Sequence, residues 1–217
     1  MRVFWAPGNT GDLLIREGGK QLFHAFEIVV TEGDQPCDAV FWGGGGNMGS
    51  LYPAAQSARE KGRAFATARK VPFIVLPQSW TGPDSIAADQ FFAREHGSLQ
   101  LCPQAILAPD LALAFRSDEG LAPAREAEGW FFRKDAESLG TPPNNIADPV
   151  SRARTAAEYI RLAADYSVIH TDRLHFAISA MIAQRQAVLY PNNYFKCRAI
   201  YDLWLRGRGC AWGELRR

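Results

Sequence analysis

Asp172, Arg173 and His175 stand at the head of an apolar run in HTDRLHFAISA, residues 170–180. Behind them Leu174, Ala177, Ile178, Met181 and Ile182 read as the buried stripe of a helix over 173–183. With Asp172 as the N-cap, Arg173 and His175 fall in the first helical turn. A helix N-terminus carries unpaired N–H donors and roughly half a positive charge, so a cation gains nothing there. An arginine and a histidine at that end therefore point to an anion. The guanidinium offers a fork matched to carboxylate or phosphate, and the imidazole exchanges a proton near neutral pH. The plain alternative is that Asp172 merely caps the helix.

Other polar groups follow apolar runs in the same way. PGNTGDLL places Asn9 and Asp12 at a strand-to-helix turn. It is neither a P-loop nor G-x-G-x-x-G, and Asp12 could serve simply as a cap. FWGGGGN ends a strand with four glycines and Asn47, which implies close approach of backbone or ligand. LPQS ends another with Gln78 and Ser79, which either recognise a hydroxyl or satisfy the loop. FFAREHGS carries Arg94, Glu95 and His96, an arrangement more often structural than functional. FFRKDAE puts Arg133 at a strand end, a position from which a cation enters a cleft.

These groups need a scaffold of strands alternating with helices. Strand-like runs are RVFWA, FEIVV, DAVFW, PFIVLPQS, LQLC and AILAPD, then EGWFF, YSVIH and AVLY. Helices are expected over 13–26, 50–69, 84–92, 149–165, 173–183 and 196–206. Such alternation implies parallel βαβ units and open sheets, whose ligands bind beyond the carboxyl ends of the strands. A polar, breaker-rich seam over 114–128 divides the chain into two α/β lobes facing a cleft, 1–118 and 119–217.

The 217 residues are 47% hydrophobic and 22% charged, with a net charge of +1. No global field draws the chain to nucleic acid, so an anion needs a local cluster. Cys37, Cys102, Cys197 and Cys210 are scattered, which suggests neither a zinc site nor a disulfide framework and fits a cytoplasmic, reducing compartment. There is no signal-peptide pattern and no apolar run long enough to span a bilayer. The tail RGRGCAWGELRR reads as a solvated C-terminus, with membrane-surface contact as the alternative.

Taken in order, GNTGD, WGGGGN, LPQS, AREHGS, APDLA, FRKDAE, HTDRLHFAISA and YPNNYFKCRAIYDLW resemble the polysaccharide pyruvyl transferase family. The resemblance implies two Rossmann-like lobes of glycosyltransferase-B type. It also implies transfer of a pyruvyl group from phosphoenolpyruvate to a sugar of an exopolysaccharide or cell-wall glycan, as a cyclic ketal. It associates Arg173, His175 and Arg133 with phosphoenolpyruvate, and turns Asn9 and Asp12 of the first lobe toward the acceptor. Lys196 is a third candidate cation, and Asn47 and Gln78 are candidate substrate contacts. His175 is then the general acid, and Asp12 orients or deprotonates the acceptor hydroxyl. Neither a metal nor a cofactor is demanded, because arginines and a helix N-terminus can carry the charge. Expected partners are phosphoenolpyruvate and a sugar or lipid-linked acceptor, the latter bringing peripheral contact at the inner face of the membrane; nucleic acid is not among them.

Two features depart from the family pattern. The chain is shorter than is common, a trimmed version, and Phe176 follows the histidine where glycine is usual. By helical angle Phe176 leaves the apolar stripe, so it is expected to line the cleft or meet the neighbouring lobe. The rival readings are a nucleotide-sugar glycosyltransferase and a non-catalytic glycan-binding relative.

Overall fold

A computed structural model describes residues 1–117 and 122–215. The boundary expected at 118/119 and the last two residues of the tail lie outside the described residues. The chain forms two compact units. The first comprises Met1–Gly8 and Ile15–Phe115; the second comprises Asn9–Leu14 and Arg116–Arg217.

The first unit is built on a parallel sheet. Its strands are β1 (Arg2–Phe4), β2 (Val40–Trp42), β3 (Gly45–Met48), β4 (Phe73–Trp80), β5 (Gln90–Ala93) and β6 (Ile106–Leu107), in the order β1-β2-β4-β5-β6, with β3 also on β4. Pairing aligns Val40 with Phe73 and Trp42 with Val75, and these four side chains are fully buried. Helix α2 (Pro53–Arg69) turns one face inward through Ala55, Arg59, Gly62 and Ala66, spaced at helical intervals. Pro53 opens it, and Lys70 in the left-handed region closes it.

Three sequence expectations fail in this unit. FEIVV forms no strand: Phe26 and Val29 are 70% and 74% exposed. After helix α1 (Thr10–Ala25), Glu27 adopts φ +56°, and the following residues run past the chain start, through Met1 N–H to Val29 O and Thr31 N–H to Met1 O, without joining the sheet. The helix expected over 84–92 is absent. Asp84 there accepts Ile86 N–H at 3.0 Å and Asp89 accepts Phe73 N–H at 2.8 Å, and Gln90–Ala93 pairs with β4. Conversely LQLC is not a strand but ends helix α3 (His96–Leu101), because β5 already fills the sheet position beside β4 and β6 the one beside β5.

The second unit has a four-stranded parallel sheet among the described residues, in the order β10-β9-β8-β7. The strands are β7 (Glu126–Phe131), β8 (Tyr166–Thr171), β9 (Gln186–Leu189) and β10 (Cys210–Trp212). β10 corrects the reading of the tail as solvated: Cys210–Trp212 pairs in parallel with Ala187–Leu189. The helix expected from 149 begins later. Pro149–Ser151 forms a single 3₁₀ turn, and α4 (Ala156–Ala164) starts after Thr155, which accepts Glu158 N–H at 3.1 Å while Glu158 reaches back to Arg154 N–H at 2.8 Å. Helix α5 (Leu174–Ile182) is buried on nearly every side. Phe176 is not at a cleft: it is 0% exposed, with its ring centroid 5.1 Å from Phe131 and 4.8 Å from Tyr159. Helix α6 (Lys196–Ile200) runs into a wide turn over Tyr201–Leu205, closed by Arg206 N–H to Tyr201 O. No helix among the described residues is long and apolar enough to cross a membrane.

Candidate active site

The chemistry-bearing residues of the second unit gather beyond the carboxyl ends of three neighbouring parallel strands. Arg133–Glu137 follows β7, Asp172–His175 follows β8 and Asn192–Lys196 follows β9. This is where an open α/β sheet presents ligand-binding loops.

Arg173, not Asp172, is the N-cap of α5, with φ −90° and ψ 105°. Its backbone N–H donates to Thr171 Oγ1 at 3.0 Å. Asp172 is withdrawn from the helix because its carboxylate accepts Arg133 N–H at 2.8 Å, which ties the loops after β7 and β8 together. Asp172 is 1% exposed. Burial pushes its carboxyl up to about 6, against the opposing pull of the Arg133 N–H and the Arg133 and Arg173 charges.

Both arginines are buried and fully engaged with carboxylates. Arg173 forms a fork on Asp148, Nε–Oδ1 3.0 Å and Nη2–Oδ2 2.6 Å. Asp148 is itself anchored by Lys134 N–H at 3.1 Å and Val150 N–H at 3.3 Å. Arg133 pairs with Glu137 and with Asp135. Glu137 also receives Lys196 Nζ at 2.9 Å and Asn192 Nδ2 at 3.0 Å. Burial alone would lower the Arg133 and Arg173 guanidiniums, but hydrogen bonds and charges from these carboxylates outweigh it and hold both above the ordinary range. Lys196 is raised in the same sense: burial opposes its charge, while Tyr194 and Glu137 favour it. The expected anion site thus arrives with three cations already neutralised by the chain's own acids.

GNTGD joins this cluster. Asn9 Oδ1 accepts Gly11 N–H at 2.8 Å, and Asp12 Oδ2 accepts Asn9 N–H at 2.8 Å, a reciprocal cap at the start of α1. Asn9 is therefore the cap, and Asp12 completes the box three residues on. Thr10 Oγ1 donates to Ala153 O at 2.6 Å, fixing this turn to the loop before α4. A Cβ on Gly11 would lie 2.9 Å from His175 Nδ1 and 3.0 Å from Asn9 Oδ1. Glycine is required there because the half-buried His175 packs against the turn. Asn9 and Asp12, expected in the first lobe, thus group with His175 in the second unit.

Asn47 and Gln78 belong to the first unit and serve its glycine loop. Trp42 Nε1 donates to Asn47 Oδ1 at 3.2 Å, Asn47 N–H to Gln78 Oε1 at 3.4 Å, and Gln78 Nε2 to Gly43 O. The glycines make room for backbone and ring: Gly43 lies against the Trp5 indole, and a Cβ on Gly44 would meet Pro77 O at 3.0 Å. Arg94, Glu95 and Ser79 form a sealed network with Asp110 and Ser98. A separate pocket of about 460 Å³, lined by Arg2, Trp5, Arg16, Lys20, Phe23 and Glu32, shares none of the expected site residues.

A sequence model of the polysaccharide pyruvyl transferase family matches residues 9–194. The chain belongs to that family. It is 23% identical over 269 aligned residues to the Bacillus subtilis (strain 168) protein named "Putative pyruvyl transferase EpsO", covering 92% of this chain and 83% of the relative. It also resembles the crystal structure of a functionally uncharacterized protein from Klebsiella pneumoniae subsp. pneumoniae NTUH-K2044. That match has a TM-score of 0.77 at 21% identity, over 100% of this chain and 93% of the other, a likeness of fold.

The acids Asp135, Glu137 and Asp148 and the buried Tyr159 are not singled out by the sequence reading. Tyr159 is 0% exposed, its hydroxyl has no hydrogen-bond partner among the described residues, and burial raises its phenol far above the ordinary range. Its charged surroundings include Arg173, Asp148 and Asp12. The acids at two and four residues beyond Arg133 were a readable signal, since both can fold back onto the guanidinium. Asp148 and Tyr159 lie too far along the chain for spacing to reveal them.

Proposed function

We propose that the second unit binds phosphoenolpyruvate and that the protein transfers its pyruvyl group to a glycan as a cyclic ketal, releasing inorganic phosphate. The observation that carries this reading is the packing of His175 on Gly11, within the unit that also holds Arg133, Arg173 and Lys196. One proton donor and three cations then share the carboxyl end of one sheet.

Phosphoenolpyruvate has a carboxylate and a phosphate on its central carbon and a terminal methylene. His175 gives a proton to the methylene, and a sugar hydroxyl attacks the central carbon. The C–O bond to phosphate breaks, and a second sugar hydroxyl closes the ring. Two C–O bonds form, one breaks, and the two hydroxyl protons are released to base and to phosphate. Arg133 and Arg173 neutralise the donor's two anionic groups, with Lys196 behind Arg133. Asp12 faces the acceptor through the carboxylate oxygen that the cap does not use. Acceptors of sugar or lipid-linked sugar type fit the reaction, and the reaction itself calls for no cofactor.

The test is phosphate release from phosphoenolpyruvate in the presence of bacterial glycan acceptors, with the product examined for an acid-labile pyruvate ketal. Acceptor-dependent release that disappears in His175→Ala is the expected result. Saturable binding of a nucleotide sugar with no response to phosphoenolpyruvate would overturn the reading in favour of glycosyl transfer.

A further inference from the structure

Of the carboxylates around Arg133 and Arg173, one bridges both. Asp135 Oδ1 lies 2.7 Å from Arg133 Nε, and Asp135 Oδ2 lies 3.1 Å from Arg133 Nη2 and 2.9 Å from Arg173 Nη2. Two guanidiniums held this close repel each other, and a shared anion relieves that repulsion. The Asp135 carboxylate therefore occupies the position that an anionic donor needs.

The three acids differ in how firmly they are held. Side chains of Glu137 and Asp148 are 7% and 10% exposed. Glu137 is tied to Lys196 and Asn192, and Asp148 to two backbone N–H groups. Removing either would strand buried donors. Asp135 is 45% exposed, and beyond the arginines its side chain accepts, among the described residues, only Glu137 N–H, at 3.1 Å. Rotating it into water frees the Nε–Nη2 edge of Arg133 and one side of Arg173 Nη2, while Glu137 and Asp148 stay on the guanidiniums, and leaves one backbone bond to be met by solvent. Burial would raise the Asp135 carboxyl, but the Arg133 hydrogen bond and the charges of Arg133 and Arg173 hold it below its ordinary value. It is thus ionised and competing at neutral pH.

We propose that Asp135 is an exchangeable internal occupant of the anion site, displaced from the Arg133–Arg173 pair when the donor binds, and that it sets the affinity and charge selectivity of that site. This rests on the assignment of the anion site to those arginines. A ligand must outcompete a carboxylate already in place. A dianionic phosphate does so more readily than a monocarboxylate, so the device favours a phosphorylated donor over pyruvate.

The experiment is calorimetric titration of the full chain with phosphoenolpyruvate, inorganic phosphate and pyruvate, in wild type, Asp135→Asn and Asp135→Ser. The asparagine keeps an acceptor for Glu137 N–H and removes the competing charge. Phosphoenolpyruvate and phosphate are expected to bind roughly tenfold more tightly, and pyruvate, weak in wild type, to become a measurable ligand. The serine variant tests the same change should the asparagine variant fail to fold. Wild-type binding of phosphoenolpyruvate with equal or weaker binding in the variants would overturn the exchange alone. Gain of phosphate binding without any phosphoenolpyruvate binding would uphold the exchange and overturn the donor assignment; no anion bound by any of the proteins would overturn both.

Discussion

In the first unit Arg94 follows β5 and pairs with Asp110, the two side chains being 1% and 0% exposed. Arg94 also donates to Ser79 Oγ, at 3.2 and 2.8 Å, and Ser79 in turn donates to Glu95 at 2.7 Å. In the second unit Arg133 and Arg173 are nearly as buried, at 5% and 8%, yet the partner they share, Asp135, is 45% exposed. Both clusters meet the same requirement, that a buried charge be paired and hydrogen-bonded. They differ in whether a partner can leave. Burial of an arginine does not separate a structural ion pair from a site; exposure of its partner does. The second cluster also has a half-buried histidine, His175, two residues beyond Arg173, whereas His96 beside the first is exposed.

That contrast can be broken most sharply at His175. His175→Ala is expected to lower turnover about a thousandfold while the variant melts as wild type does. Near-normal turnover would remove the acid from the second cluster and with it the functional half of the comparison. Next in size is Arg94→Ala, which leaves Asp110 buried without its cation and should cost about 3–5 kcal/mol in denaturant unfolding. A loss below 1 kcal/mol would show that the first cluster is not the sealed structural pair described.

A third effect is read in pH. The Asp172 carboxyl sits at about 6 in the fold, above its unfolded value. Its contribution to stability is therefore fully present below pH ~4 and is lost as pH rises through ~6. Asp172→Asn keeps an acceptor for Arg133 N–H and carries no charge to bury. Its stability relative to wild type should rise between pH ~4 and ~6 and then level off, by about 2–3 kcal/mol at most. A difference constant with pH would contradict the shift. The smallest expected change is in Gly11→Ala. The added methyl meets His175 Nδ1 at 2.9 Å, so turnover should fall about tenfold through displaced geometry. Stability should fall by about 1 kcal/mol, because crowding against His175 and Asn9 outweighs the better helix propensity of alanine. Unchanged turnover would show that His175 is not positioned by the α1 turn.

Much of this architecture is legible before any coordinates. PFIVLPQS is a buried parallel strand whose apolar run needs no alternation, YSVIH and AVLY form parallel strands of the second sheet, and the apolar stripe behind Arg173 is α5. Arg133, Arg173, His175 and Lys196 are visible because cations at strand ends and helix starts are out of place without a partner. The carboxylate partners are less visible because Asp148 meets Arg173 across 25 residues and Asn192 meets Glu137 across 55. FEIVV misleads because strand-forming residues make a strand only where a sheet edge accepts them. Residues 84–92 mislead because Asp89 is tied to the Phe73 N–H at the start of β4 and Gln90–Ala93 pairs with β4 as a strand. Phe176 leaves the expected stripe, yet α5 is enclosed on that side too, by Phe131 and Tyr159.

The central claim is that the arginine cluster of the second unit holds phosphoenolpyruvate. Calorimetric titration of wild type and Arg173→Ala tests it most directly, with thermal melting of both to show that the variant is folded. The account predicts saturable binding in wild type that is lost in a variant still melting cooperatively. Equal affinity in the two proteins, or no binding by wild type, would contradict it.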